Sequence, residues 1–199
     1  FENAYANLLG SYESFDGNHE KKVKEALTGG NLHSVSLRSW EMMRELQRGN
    51  LWQQLYSMHT LDSSNYNLMT CSIRKPLPDM RGLVVGRPYL ILKMVTVMRK
   101  FHLVQLLNPV RDSEWTGPWS NTDAMWTPQL KLQVGMDTEQ LKRAKSTTFF
   151  MEFEQEFLKY FSTVEVCTFL RDTSRVPRST IFRGELPLDP VTIKAIRLP

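Results

Sequence analysis

The stretch Tyr89-Leu90-Ile91-Leu92-Lys93-Met94-Val95-Thr96-Val97 is apolar apart from Lys93 and Thr96. Its length, its β-branched residues and its lack of alternation predict a strand covered on both faces. A second run of strand type, Phe101 to Leu107, follows at once, and a third, Tyr66 to Ile73, precedes it across the loop signal Pro76-Leu77-Pro78. Phe149 to Phe153 and Thr163 to Leu170 add two strand candidates late in the chain. Between the two groups lies an irregular, tryptophan-rich segment from Glu114 to Trp126, whose aromatic residues are read as core.

The first third of the chain has a different period. Tyr5, Leu8 and Leu9 share a helical face, as do Val23, Ala26 and Leu27 before Gly29-Gly30 stops the run. Leu32, Val35 and Leu37 form a short strand candidate, and Ser39 then caps a helix carrying Trp40, Met43 and Leu46 on one face up to Gly49. A further helix from Leu51 to Met58 turns Leu51, Leu55 and Met58 inward. Later, Asp137 to Gln140 has the form of a helix start, and Glu154 to Phe161 predicts a short helix burying Phe157, Leu158 and Phe161. Helices first and strands second give two lobes in an α+β chain. Residues 171–199, interrupted by Pro177, Pro187, Pro190 and Pro199, are expected to run as an extended tail or linker.

The 199 residues, 41% of them hydrophobic, suffice for one core or two small lobes. The net charge of +4 comes largely from the tail, where six cations face three acids, and no basic stripe with interleaved aromatics points to nucleic acid. An acidic protein is the better partner for that charge. No apolar run is long enough to span a bilayer, and the two cysteines, Cys71 and Cys167, sit within apolar strand runs as buried, reduced thiols. These features point to an intracellular protein, and the Phe1 and Pro199 ends suggest a piece of a longer chain.

Three groups of residues together resemble the protease core of calpains. Ala4-Tyr5-Ala6-Asn7-Leu8-Leu9-Gly10-Ser11-Tyr12, with Leu27-Thr28-Gly29-Gly30, is similar to the family's A-Y-A-K-L-x-G-x-Y and F-T-G-G. Gly86-Arg87-Pro88-Tyr89, Leu107-Asn108-Pro109 and Glu114-Trp115-Thr116-Gly117-Pro118-Trp119-Ser120 resemble G-H-A-Y, R-N-P-W-G and E-W-x-G-x-W-S. Phe149 to Phe153, Phe157-Leu158 and Glu165-Val166-Cys167 resemble F-W-M-S-F, D-F and E-I-C. The resemblance implies a partial, papain-like calpain core, with residues 1–65 as the end of a helical lobe and 66–170 as a β-rich second lobe.

A cysteine protease needs a thiolate, a histidine to hold and pass the proton, and a group that orients the histidine. The family's nucleophile string, Q-G-x-x-G-D-C-W, is absent from these residues, and Arg87 stands in the histidine slot, with Asn108 at the orienting position. Arginine stays protonated, so it neither takes nor gives a proton. His19, His33, His59 and His102 lack the required place beside Asn108. Where the family has an acidic calcium loop, this chain reads Lys145-Ser146-Thr147-Thr148, a poor oxygen set, so no calcium, other metal or cofactor is expected. Arg87 and Asn108 are then vestigial positions with no catalytic residue among them.

The expectation is a chain that is not an enzyme but a pseudoprotease, an interaction or architectural module with protein partners, placed in the cytoplasm. Some inactive relatives in the family are associated with the cytoskeleton, which makes the cytoskeleton the candidate partner. No nucleic acid and no membrane partner is expected. The rival reading is a divergent calpain-like cysteine endopeptidase whose nucleophile lies upstream of this segment.

Overall fold

The computed structural model describes residues 30–60, 65–110, 113–136 and 148–170. The helices expected in residues 1–29 and from Asp137, the loop through residue 147, and the tail 171–199 lie outside them. Six strands form one antiparallel sheet: β1 (Asn31–Ser36), β2 (Asn65–Ser72), β3 (Tyr89–Val97), β4 (Phe101–Leu107), β5 (Thr148–Glu152) and β6 (Thr163–Leu170). Their order across the sheet is β1-β6-β2-β3-β4-β5. The helices are α1 (Trp40–Gln47), α2 (Leu51–Thr60), α3 (Pro128–Val134) and the single turn α4 (Leu158–Tyr160), the last preceded by a π-helical turn, Phe153–Phe157. The α+β class holds, and no helix among the described residues is long and apolar enough to cross a membrane.

The β3–β4 hairpin supplies two of the four interior strands of the sheet. Its turn places Met98 and Arg99 at positive φ (51° and 56°), the twist a tight hairpin needs, and Lys100 N–H closes it on the Val97 carbonyl at 3.1 Å. A register shift between Ile91 and Lys93 keeps Tyr89, Ile91 and Met94 on one face and turns Val97 to the other. The first face packs with α2 residues Leu51, Trp52 and Leu55 and with Phe153, Phe157 and Phe161. The second face of β3, β4 and β5 is covered by Trp119, Trp126, Leu130 and Val134. The expectation of two covered faces for β3 is met at Tyr89, Ile91 and Val97, whereas Leu92 and Thr96 are exposed.

Local signals explain the element ends. The Ser39 hydroxyl caps α1 by accepting the Met42 N–H at 3.3 Å, and Gly49 (φ 74°) ends it. Trp40, expected on an inward face, is 67% exposed and lies under the Arg44 guanidinium at 4.4 Å. Helix α3 has no counterpart among the expected elements, although Thr127 caps it, Pro128 opens it and Gly135 stops it. Lys93 donates to the Val134 carbonyl at 2.7 Å and so caps that helix from β3. Residues 31–60, expected within the first unit, share the sheet and core of the later strands: β1 is hydrogen-bonded to β6 from Asn31↔Thr168 to Ser36↔Thr163.

Candidate functional site

Antiparallel pairing brings five strand ends together. Ser72 of β2 lies opposite Thr163 of β6, as does Ser36 of β1, while Cys71 faces Tyr89 and Leu90 faces Leu107. The loop carrying Arg87 therefore enters β3 at the same sheet end where Asn108 leaves β4. Pro88 disfavours the α region for the backbone of Arg87. Arg87 is exposed, and no carboxylate among the described residues pairs with it. Asn108 is buried; its carbonyl oxygen accepts the Val110 N–H at 3.0 Å and its amide donates to the Ser113 carbonyl. Both ends of that side chain are thus committed to holding the turn after β4.

The loop between β2 and β3 is fastened to the segment after Asn108. Gly86 N–H donates to the Ile73 carbonyl at 3.4 Å, and the Tyr89 hydroxyl accepts the Val84 N–H at 2.7 Å. Burial pushes the Tyr89 phenol up, so it stays protonated. Thr116 N–H reaches the Arg81 carbonyl at 3.1 Å, and the Ser113 hydroxyl donates to the Gly82 carbonyl. Arg81 pairs with Asp79 at 3.2 Å and approaches the buried Glu156 at 3.8 Å. Its hydrogen bonds hold the Asp79 carboxyl below the usual carboxylate range. Trp115 closes the site from below: its indole N–H donates to the Pro118 carbonyl at 2.9 Å and its ring lies edge-on to Tyr160.

Neither thiol is placed to react at this site. Cys71 and Cys167 form no disulfide and are buried in neighbouring strands, and the β2–β6 register, which pairs Cys71 with Val164 and Leu68 with Cys167, sends them to opposite faces. The histidines are no nearer a role. His102 begins β4, at the far end from Asn108, where it stacks on Trp52 at 4.4 Å and bonds Glu154 at 2.5 Å. Burial lowers the His59 pKa, His33 is exposed on β1, and His19 lies outside the described residues. Among the described residues no three His, Cys, Asp or Glu side chains are grouped to hold a metal ion. Most of the stretch that replaces the family's calcium loop, residues 145–147, lies outside them, so the expectation of no calcium there is not addressed by the described residues.

Sequence reasoning missed one feature of this sheet end, a groove with Arg38, Arg74, Lys75 and Lys159 in its wall. Only the Arg74-Lys75 pair is contiguous in the chain; the other two arrive through the fold.

A family model described as calpain family cysteine protease matches residues 1–168. "Calpain-type cysteine protease DEK1" of Arabidopsis thaliana is 31% identical over 167 residues, which cover 83% of this chain and 7% of that protein. Calpain-A of Drosophila melanogaster is 31% identical over 189 residues, covering 86% of this chain and 21% of that protein. Calpain-9 of Rattus norvegicus is 31% identical over 185 residues, with 86% and 24% covered. The chain thus spans at most 24% of the length of these three relatives. These matches overturn the expectation of a chain that is not an enzyme, because the family and the Arabidopsis relative are named as cysteine proteases and the other two as calpains.

Proposed function

The chain belongs to the calpain family of cysteine proteases, and from that premise we propose that it is part of a divergent calpain-type cysteine endopeptidase whose nucleophilic thiol lies upstream of these residues. The observation that carries this reading is the family match over residues 1–168, which includes both Arg87 and Asn108. The burial of Cys71 and Cys167 in strands supports a thiol supplied from elsewhere. The absence of a disulfide between these buried thiols also suits the cytoplasm as the proposed location.

In this reading Arg87 does part of a histidine's work. A guanidinium beside a thiol favours the thiolate, as an imidazolium does. It cannot then protonate the leaving amine. The thiolate forms its bond to the acyl carbon, and a good leaving group departs with the bonding electron pair unaided. A peptide amine has to take its proton from water. Water finally cleaves the S-acyl bond and frees the carboxylate.

The test is hydrolysis by the full-length protein of a peptide presented as an aryl ester and as an anilide. Iodoacetamide should abolish turnover of both. The ester should be preferred by about 100-fold, the lower range of what a general acid ordinarily supplies. Ester turnover that survives complete thiol alkylation would overturn the proposal.

A further inference from the structure

We propose that the groove at the β1–β6–β2 sheet end binds an acidic, carboxylate-rich peptide segment. The groove encloses about 360 Å³, and all four of its charged lining residues, Arg38, Arg74, Lys75 and Lys159, are cations. Ser36 and Ser162 add hydroxyls from the ends of β1 and β6. Arg38 is held across the groove by donating one guanidinium N–H to the Lys159 carbonyl at 3.0 Å, leaving its other donors free to fork onto a carboxylate. Arg74 and Lys75 are exposed and have no carboxylate partner among the described residues. The local acids are engaged elsewhere: Asp79 is bonded to Arg81, and buried Glu156 faces Arg81 as well.

Four like charges around one concavity repel one another, offset only in part by the charge of Asp79 near Lys159, and an anion seated among them removes that repulsion. The occupant is a peptide for three reasons. The groove is concave, which suits a side chain or extended segment rather than a flat lipid surface. Its aromatic residue, Tyr160, is buried with Lys159 lying over its ring at 5.0 Å, so no open aromatic face is offered for a base to stack on. The chain's own tail, with its excess of cations, is the wrong sign to fill it. The inference does not depend on catalysis, since it concerns binding at Arg74 and Lys75 and not at Arg87.

The experiment is fluorescence anisotropy of a labelled hexaglutamate peptide titrated with the full-length protein, with the hexaglutamine analogue as reference. The glutamate peptide should bind and the glutamine peptide should not. Arg74→Glu/Lys75→Glu should weaken binding at least tenfold, whereas the charge-matched Arg99→Glu/Lys100→Glu, at the opposite sheet end, should leave it within about twofold. If the reversal variant fails to fold, Arg74→Gln/Lys75→Gln takes its place, with at least a threefold loss expected. Equal loss in the two reversal variants, equal binding of the glutamine peptide, or displacement by a single-stranded oligonucleotide at matched charge with tighter affinity would each overturn the assignment.

Discussion

Arg87→His in the full-length protein is expected to raise kcat/KM for a peptide anilide by about 100-fold or more, the contribution a positioned acid–base group ordinarily makes. The same change should alter aryl ester hydrolysis by less than about tenfold, because a phenolate leaves without a proton and the thiolate keeps a cationic neighbour in either variant. The structure favours the outcome, since Arg87 is exposed, so a histidine fits without repacking. Arg87→Lys should keep the wild-type ratio of ester to anilide, because an exposed lysine is also a fixed cation near neutral pH. Parallel kinetics on the two substrates decide the matter. A histidine variant no better on the anilide than the wild type would mean that Arg87 does not face the reacting thiol.

The second large effect belongs to Gly82. It sits at φ 85°, and a Cβ there would stand 1.8 Å from the Glu114 carbonyl oxygen, a backbone atom that cannot swing away. Gly82→Ala should therefore cost about 3 kcal/mol or more, from left-handed strain and the separation of the two loops. Gly86 provides the contrast: φ is 74° but nothing lies within 4 Å of its added Cβ. Gly86→Ala should cost only about 1 to 2 kcal/mol, the left-handed penalty alone. Urea denaturation of the two variants measures the difference, and equal losses would show that the close approach of residues 82 and 114 does not hold in solution.

Much of the sheet was legible because its strands carry their own signals. Thr163 to Leu170 and Phe101 to Leu107 were bounded correctly by apolar runs and turn residues, and Ser39 announced α1 by capping chemistry that acts over three residues. Helix α3 was missed although Thr127-Pro128 and Gly135 bracket it, because it follows a tryptophan-rich stretch whose aromatic residues masked its short period. Strand order was not legible, as pairing of β1 with β6 joins residues more than 120 positions apart and nothing local encodes it. The same reason hid the groove. Arg38, Arg74, Lys75 and Lys159 look like scattered surface charge until β1, β2 and β6 end at one place. Arg87 and Asn108 were found only through resemblance, and their shared sheet end follows from the Leu90↔Leu107 register. The expectation of no activity rested on the absent nucleophile string, Arg87 and the altered calcium loop together, local departures that leave the family match over residues 1–168 intact.

The central claim, a reacting thiol outside these residues acting beside Arg87, is tested most directly by trapping it. The full-length protein is treated with a peptide carrying a thiol-reactive electrophile, digested, and the modified cysteine located by mass spectrometry. The label should fall on a cysteine upstream of Phe1, with none on Cys71 or Cys167, and Arg87→Ala should slow labelling at neutral pH by raising the thiol pKa. Labelling confined to Cys71 or Cys167, or no faster than that of the denatured chain, would contradict the account.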